Sequence, residues 1–409
     1  MRGALLALAG LTVALMLAVP VGLHQHVGQD FHVFWQAGRN FATGAPLYHD
    51  SLPGARPLKY PPFAAMVFTP LALFPLPVAA VLMSLLNLVL WVWAVVLTRR
   101  IIARTFPDRT PSRVPLVLAV ILSARFFLDN FHHVQMNEVT LVLALLGMQA
   151  YLDGRDVAPA AAFVGATALK LTPIFFAAWL VIRGRRRAAL AVFPIALACL
   201  LVPLSLRGPS RGAAELAEYY HKFLAKHQHG EIGSYTAGQN IAALVSRMTR
   251  APEAPGEPSF QWAPATERTA QLAYQGLWLA VLLLFLGKLV LLRVRRAPVS
   301  AFEPALIFAT ALLLSPITFT THLVPLLFMF ATVLSVRPAS LGGLARAVGL
   351  VIGAGFVVCG LSGRDLVGGT LYRAAGGYSV CASTILALFA VTLVYGGRWS
   401  AVTAPGPGA

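Results

Sequence analysis

The run Pro77–Thr98, PVAAVLMSLLNLVLWVWAVVLT, holds no Asp, Glu, Lys or Arg. As an α-helix it is long enough to cross a hydrocarbon layer of about 30 Å. Upstream, residues 62–76 are also apolar, but Phe74-Pro75-Leu76-Pro77 interrupts them. Two full spans here would put the arginines that follow residue 98 on the outer side, against the positive-inside bias. Residues 62–74 therefore read as a short helix dipping into the outer leaflet and 77–98 as a span. Irregular backbone at that depth needs protein or water around it, which is the first hint of a pocket.

Working outward, similar apolar runs recur along most of the 409 residues, of which 58% are hydrophobic and 11% charged. Mean hydropathy is +0.73, whereas soluble chains carry roughly a quarter charged residues. The expected fold class is an all-α polytopic membrane protein with about twelve transmembrane helices, in one integral membrane domain. Its parts are a first, uncleaved helix at 1–23, an outer loop with juxtamembrane helices at 24–76 and a bundle at 77–206. A long outer loop at 207–270, a second bundle at 271–398 and a cytoplasmic tail at 399–409 follow. Helical pieces are expected at Ala213–Lys226 and Asn240–Arg250, and Gly363–Gly377 reads as a glycine-rich loop.

The net charge of +17 sits mostly in arginine clusters such as Arg99-Arg100, Arg183–Arg187 and Arg293–Arg296. Basic residues in alternate short loops mark topology and place both termini in the cytoplasm. No basic reading face accompanies them, so nucleic acid is not an expected partner. Cys199, Cys359 and Cys381 fall in apolar segments without metal spacing and read as small buried hydrophobes.

Two crossings between Asp153–Arg155 and Arg183–Arg185 would need about 40 residues, and far fewer are available. The spacing predicts a hairpin of two short helices with Lys170 at its apex, where a lysine must face protein, water or an anion. At the same outer level the topology collects Asp30, His32, Trp35, Lys59, Tyr60, Arg125, His132, Gln135, Asn137 and His322. One carboxylate among cationic and hydrogen-bonding groups suits a lipid phosphate held by Lys170, Lys59, Arg125 and His132. His32, Trp35, Tyr60, Gln135 and Asn137 are the candidate substrate contacts. Asp30 is then free to act as general base on a hydroxyl, with His322 as a second catalytic candidate. This chemistry describes glycosyl transfer from a polyprenyl-phosphate sugar in the cell membrane to a lipid or polysaccharide acceptor on the outer face.

Plainer readings stand beside each of these. Asp30 also suits a helix cap, Arg125 a pairing with Asp129 one turn away, and the aromatics of residues 31–48 an interfacial belt. A flippase or transporter for a lipid-linked sugar, and an inactive homologue that binds one, remain alternatives to the enzyme. No Asp-x-Asp pair occurs in the first outer loop, so neither a metal nor another cofactor is expected.

Several short motifs occur in order over about residues 28–336. They are Asp30 with the aromatic segment through Gly44–Tyr48, Tyr60-Pro61-Pro62, Gln135-x-Asn137, Gly165–Lys170 with Pro173, and Ser315-Pro316-Ile317 up to His322. In this set the chain resembles glycosyltransferase family 87, of the GT-C superfamily of polyprenyl-phosphate-sugar enzymes. The resemblance implies a GT-C-like fold and an inverting, metal-independent transfer with Asp30 as base. It also implies mannose or another hexose as the sugar, with arabinofuranose an alternative. Two departures from the family pattern stand out. Val134 replaces the glycine usual before Gln-x-Asn, and Thr318–Thr321 replaces a segment with a Trp, an acid and a second His.

Overall fold

The computed structural model describes residues 29–48, 58–106, 113–225, 238–250, 261–336 and 343–395. The expected first span at residues 4–23 and the tail at 399–409 lie outside them. The described residues form sixteen α-helices and no strand. They are α1 (Gln29–Thr43), α2 (Pro62–Phe68), α3 (Leu76–Thr105), α4 (Arg113–His133), α5 (Asn137–Leu152), α6 (Val157–Leu169), α7 (Ile174–Arg183) and α8 (Arg186–Arg207). There follow α9 (Pro209–Tyr219), α10 (Ile241–Thr249), α11 (Glu267–Val294), α12 (Phe302–Leu314), α13 (Leu326–Leu334), α14 (Gly343–Leu361), α15 (Arg364–Gly377) and α16 (Val380–Tyr395).

Among the described residues, α3, α4, α8 and α11 are long and apolar enough to cross a membrane. The pair Leu366–Gly377 and Val380–Tyr395, bent by 53°, makes a fifth span if counted as one. On α8 and α11 large apolar side chains such as Phe193, Leu197, Leu272 and Leu283 face outward. A helix that is apolar all round yet exposed belongs against lipid. The centre of the bundle is α12, in which all thirteen residues are buried. At about 20 Å that helix is too short to span alone, and it packs against α16, α11, α7 and α13.

Two features differ from the sequence expectation. Gly363–Gly377 is a helix, α15, interrupted at Gly368 with φ 75° and ψ 168°. Its glycines lower helix propensity by roughly 1 kcal/mol each, but the turns between them still close. The piece expected at Ala213–Lys226 begins earlier, at Pro209, and passes at Tyr220–Leu224 into a wider π-helical turn.

The two ends of the bundle differ in chemistry. At one end Arg104 pairs with Asp153 and Arg185 with Asp156 at 3.1 Å, while Arg293 donates to the Gly184 carbonyl at 3.2 Å. Buried Glu303 accepts from Trp179 at 2.7 Å and from Arg183 at 3.1 Å at this same end. The arginine clusters at residues 104, 183–185 and 293 thus share one face. α5 runs from Asn137 at the opposite end to Leu152 here, a rise of about 24 Å.

At that opposite end lies α1. It packs on α2 at Gly38, where a Cβ would stand 2.5 Å from the Phe68 carbonyl oxygen. Its last carbonyls, which no helical N–H can reach, are met by Arg207. The guanidinium donates to the carbonyls of Asn40 at 3.0 Å, Phe41 at 3.2 Å and Ala45 at 2.6 Å. Glu215 of α9 neutralises it. The end of α1 is therefore fixed, and with it the helix that carries Asp30 in its first turn.

Candidate active site

Asp30 enters the site from the first turn of α1. Gln135 donates its side-chain N–H to the Asp30 carboxylate at 2.7 Å across a separation of 105 residues. The Gln135 segment is in turn held by α3 and α4. The Asn87 amide donates to the Gln135 carbonyl at 2.7 Å, and the Gln135 N–H donates to the Asn130 carbonyl at 3.0 Å. A lone Asn in an apolar helix such as α3 is costly unless it is bonded, and here it supports the residue that holds Asp30.

Two residues on, Asn137 opens α5 and is buried. Its carbonyl oxygen accepts from Lys170 Nζ at 2.6 Å. Its amide donates to Asn130 Oδ1 at 2.8 Å and to the Thr321 carbonyl at 3.0 Å. Lys170 follows the last residue of α6 in an extended conformation, φ −154° and ψ 125°. This directs the side chain away from the helix. Its Nζ stands 6.0 Å from the centre of the Tyr60 ring. Gln-x-Asn is thus a clamp with one amide on the carboxylate and the other on the ammonium.

Tyr60 closes the side toward α1. Its carbonyl accepts from the Tyr48 hydroxyl at 2.8 Å, and its ring packs 5.0 Å from Phe34. Burial, with the nearby Asp30 charge, pushes the Tyr60 phenol well above its ordinary value, so it stays neutral. His322 lies in the short 3₁₀ helix Thr320–Leu323. Its Nδ1 accepts from the Phe319 N–H at 3.2 Å. With Asn137, Lys170, Thr172 and Thr318 it lines a cavity of about 40 Å³. That space admits water rather than a sugar.

The remaining sequence candidates are placed differently. Trp35 donates to the Phe74 carbonyl at 2.9 Å and stacks with His32 at 6.2 Å, both half-buried. Lys59 is exposed beside Tyr60. His132 is exposed, with its ring edge-on to His133 at 5.1 Å. Arg125 is engaged elsewhere, donating to the Cys359 carbonyl at 2.9 Å and Ser362 Oγ at 2.6 Å on the α14 side. Asp129, the partner that helical spacing suggested for Arg125, instead accepts from Thr320 and pairs with His133 at 3.5 Å. Among the described residues, no three His, Cys, Asp or Glu side chains gather as a metal site.

The family model for glycosyltransferase family 87 matches residues 58–316. The chain belongs to this family. Two curated relatives are similar to it, both described as polyprenol-phosphate-mannose-dependent α-(1-2)-phosphatidylinositol mannoside mannosyltransferases. The one from Mycobacterium tuberculosis is 31% identical over 232 residues, covering 53% of this chain and 51% of the relative. The one from Mycolicibacterium smegmatis is 28% identical over 242 residues, covering 54% and 52%. The chain spans about half the length of these relatives. No solved structure gives a significant match.

Both departures from the family pattern have a physical reading. Val134 has φ 47°, a left-handed conformation that glycine adopts freely and a β-branched residue resists. The turn into Gln-x-Asn requires that geometry, and here the strain is held by burial of the Val134 side chain. The unusual Thr320 uses its hydroxyl on Asp129, which ties the His322 turn to α4.

Sequence reading missed Asn87, Asn130 and Asn240. Asn240 caps α10 by accepting from Ala243 N–H at 2.9 Å, while its amide donates to the carbonyls of Ser315 and Pro316 at 2.7 and 2.8 Å. The long section between α8 and α11 thereby holds the turn that leads to His322. For Asn87 the available signal was an amide side chain standing alone in an apolar run; Asn130 and Asn240 sit beside other polar residues and gave no such signal.

Asn137→Ala removes the acceptor for Lys170 and the donor for Asn130 and Thr321. Leaving buried polar groups unpaired costs about 1–3 kcal/mol each. The expected result is a clearly lowered thermal midpoint of the purified protein in detergent. An unchanged midpoint would show that Asn137 holds nothing in place.

Proposed function

We propose that this protein is a membrane mannosyltransferase that moves the sugar of a polyprenyl-phosphate mannose to a hydroxyl of a lipid or polysaccharide acceptor. The observation that carries the reading is the clamp in which Gln135 holds Asp30 and Asn137 holds Lys170. The names of the curated relatives supply the donor and make a phosphatidylinositol mannoside the first acceptor to try.

In this mechanism Lys170 takes the phosphate of the donor, where a charge-assisted bond neutralises the leaving group. Asp30 accepts the proton of the acceptor hydroxyl as its oxygen attacks the anomeric carbon. The bond from that carbon to the phosphate oxygen breaks on the opposite side, so the configuration inverts and polyprenyl phosphate departs with the bond's electrons. Tyr60 and the aromatic face of α1 form the platform beside the sugar.

The site is assigned to the outer membrane face and the arginine end of the bundle to the cytoplasm, since basic ends favour that side. The expected path of about twelve crossings, with both termini cytoplasmic, belongs to this reading, the short helices being shielded by α3, α4, α8 and α11. The test is transfer by purified protein from polyprenyl-phosphate mannose to phosphatidylinositol mannosides and short mannans, with the product anomer read by NMR. A product of inverted configuration supports the reading. No transfer to any acceptor, together with movement of intact donor across a vesicle bilayer, would replace it with a flippase.

A further inference from the structure

Cys359 and Cys381 bring their sulfur atoms to 3.2 Å, inside ordinary sulfur–sulfur contact, across 22 residues of sequence. Both side chains are buried. One lies near the end of α14 and the other at the start of α16, so their elements meet where the chain leaves and re-enters the bundle around α15. We propose that Cys359 and Cys381 form a disulfide in the mature protein, closing the loop that carries α15.

Three observations support a built site rather than a chance approach. The Arg125 guanidinium spans from the Cys359 carbonyl to Ser362 Oγ and fixes the end of α14. Arg247 of α10 donates to Ser379 Oγ at 2.6 Å and fixes the start of α16. Ser379, two residues before Cys381, is held at φ 55°, a costly conformation that sets the direction in which α16 begins. Both sulfurs are therefore carried on braced backbone, and bond formation requires them to close from 3.2 Å to about 2.05 Å.

Bond formation releases two protons and two electrons from the two thiols. The electrons reduce the disulfide of an extracytoplasmic dithiol oxidase to a pair of thiols. The inference rests on the outer-face assignment of this end of the bundle, because a cytoplasmic pair would be kept reduced. The bond's role is to pin α15, an element with an internal break at Gly368, to the core of the bundle. Cross-linking a loop of this length restricts the unfolded chain more than the folded one.

The third cysteine, Cys199 on α8, provides an internal count. Cells are quenched with acid, and the protein is denatured and alkylated with N-ethylmaleimide, with and without prior reduction. The intact mass is then measured. The expected result is one adduct before reduction and three after it. C359S is expected to give two adducts in both arms. Three adducts before reduction would overturn the proposal. A further arm with a copper–phenanthroline oxidant on membranes then identifies the failed premise. Cross-linking there would mean that the geometry is right and the face assignment wrong, and its absence would mean that the two sulfurs do not meet.

Discussion

Asp30→Asn is expected to lower turnover by about 10²–10⁴-fold while leaving donor binding intact. The carboxylate and the amide have nearly the same shape, and the asparagine carbonyl can still accept the Gln135 N–H that now reaches Asp30 at 2.7 Å. What disappears is the proton acceptor. A positioned general base contributes about 10²–10⁴ in rate, so the transfer rate should fall by about that factor with the donor KM little changed. Single-turnover transfer from radiolabelled donor, with donor affinity measured separately, distinguishes the outcomes. Full activity in this variant would remove Asp30 from the chemistry and leave it as a residue of the first turn of α1.

The second large effect is expected from Lys170→Met. Methionine is of similar length and apolar, so it fits the buried position without a charge. Its loss leaves the Asn137 carbonyl oxygen unpaired and removes the cation assigned to the phosphate. Truncating one partner of a buried charged pair costs about 2–5 kcal/mol. Donor affinity should therefore fall by roughly 30-fold or more. Lys170→Arg should recover part of it, since a guanidinium also binds phosphate but is larger and planar. Equal loss of donor affinity in Asp30→Asn and Lys170→Met would argue against separate roles for the two groups. Unchanged donor affinity in Lys170→Met would place the phosphate elsewhere.

Much of this arrangement was legible in the sequence. The break at Phe74–Pro77 and the uncharged run after it correspond to the short helices before Leu76 and to α3. The shortage of residues between Asp153 and Arg183 indicated a short-helix hairpin, and Lys170 stands at the junction of α6 and α7. Such features follow from length, charge and proline, which act locally.

Partnerships across long separations were not legible. Arg125 meets Cys359 across 234 residues and Thr320 meets Asp129 across 191. Helical spacing offered only Asp129 as a partner for Arg125. The glycine-rich stretch after residue 363 was read from propensity alone, and its glycines allow a helix that breaks at Gly368 rather than a loop. The number of crossings was read from apolar run lengths. Among the described residues four helices are long and apolar enough to cross alone, while others, such as α12, are short and buried.

The central claim, that Asp30 and Lys170 serve one phosphate-linked sugar, is tested most directly by an electron cryo-microscopy structure of Asp30→Asn with polyprenyl-phosphate mannose in a nanodisc. The account predicts the donor phosphate within hydrogen-bond distance of Lys170 Nζ, and the anomeric carbon facing the side chain at position 30 across a gap that admits an acceptor hydroxyl. A donor phosphate bound away from Lys170, with residue 30 not facing the sugar, would contradict it.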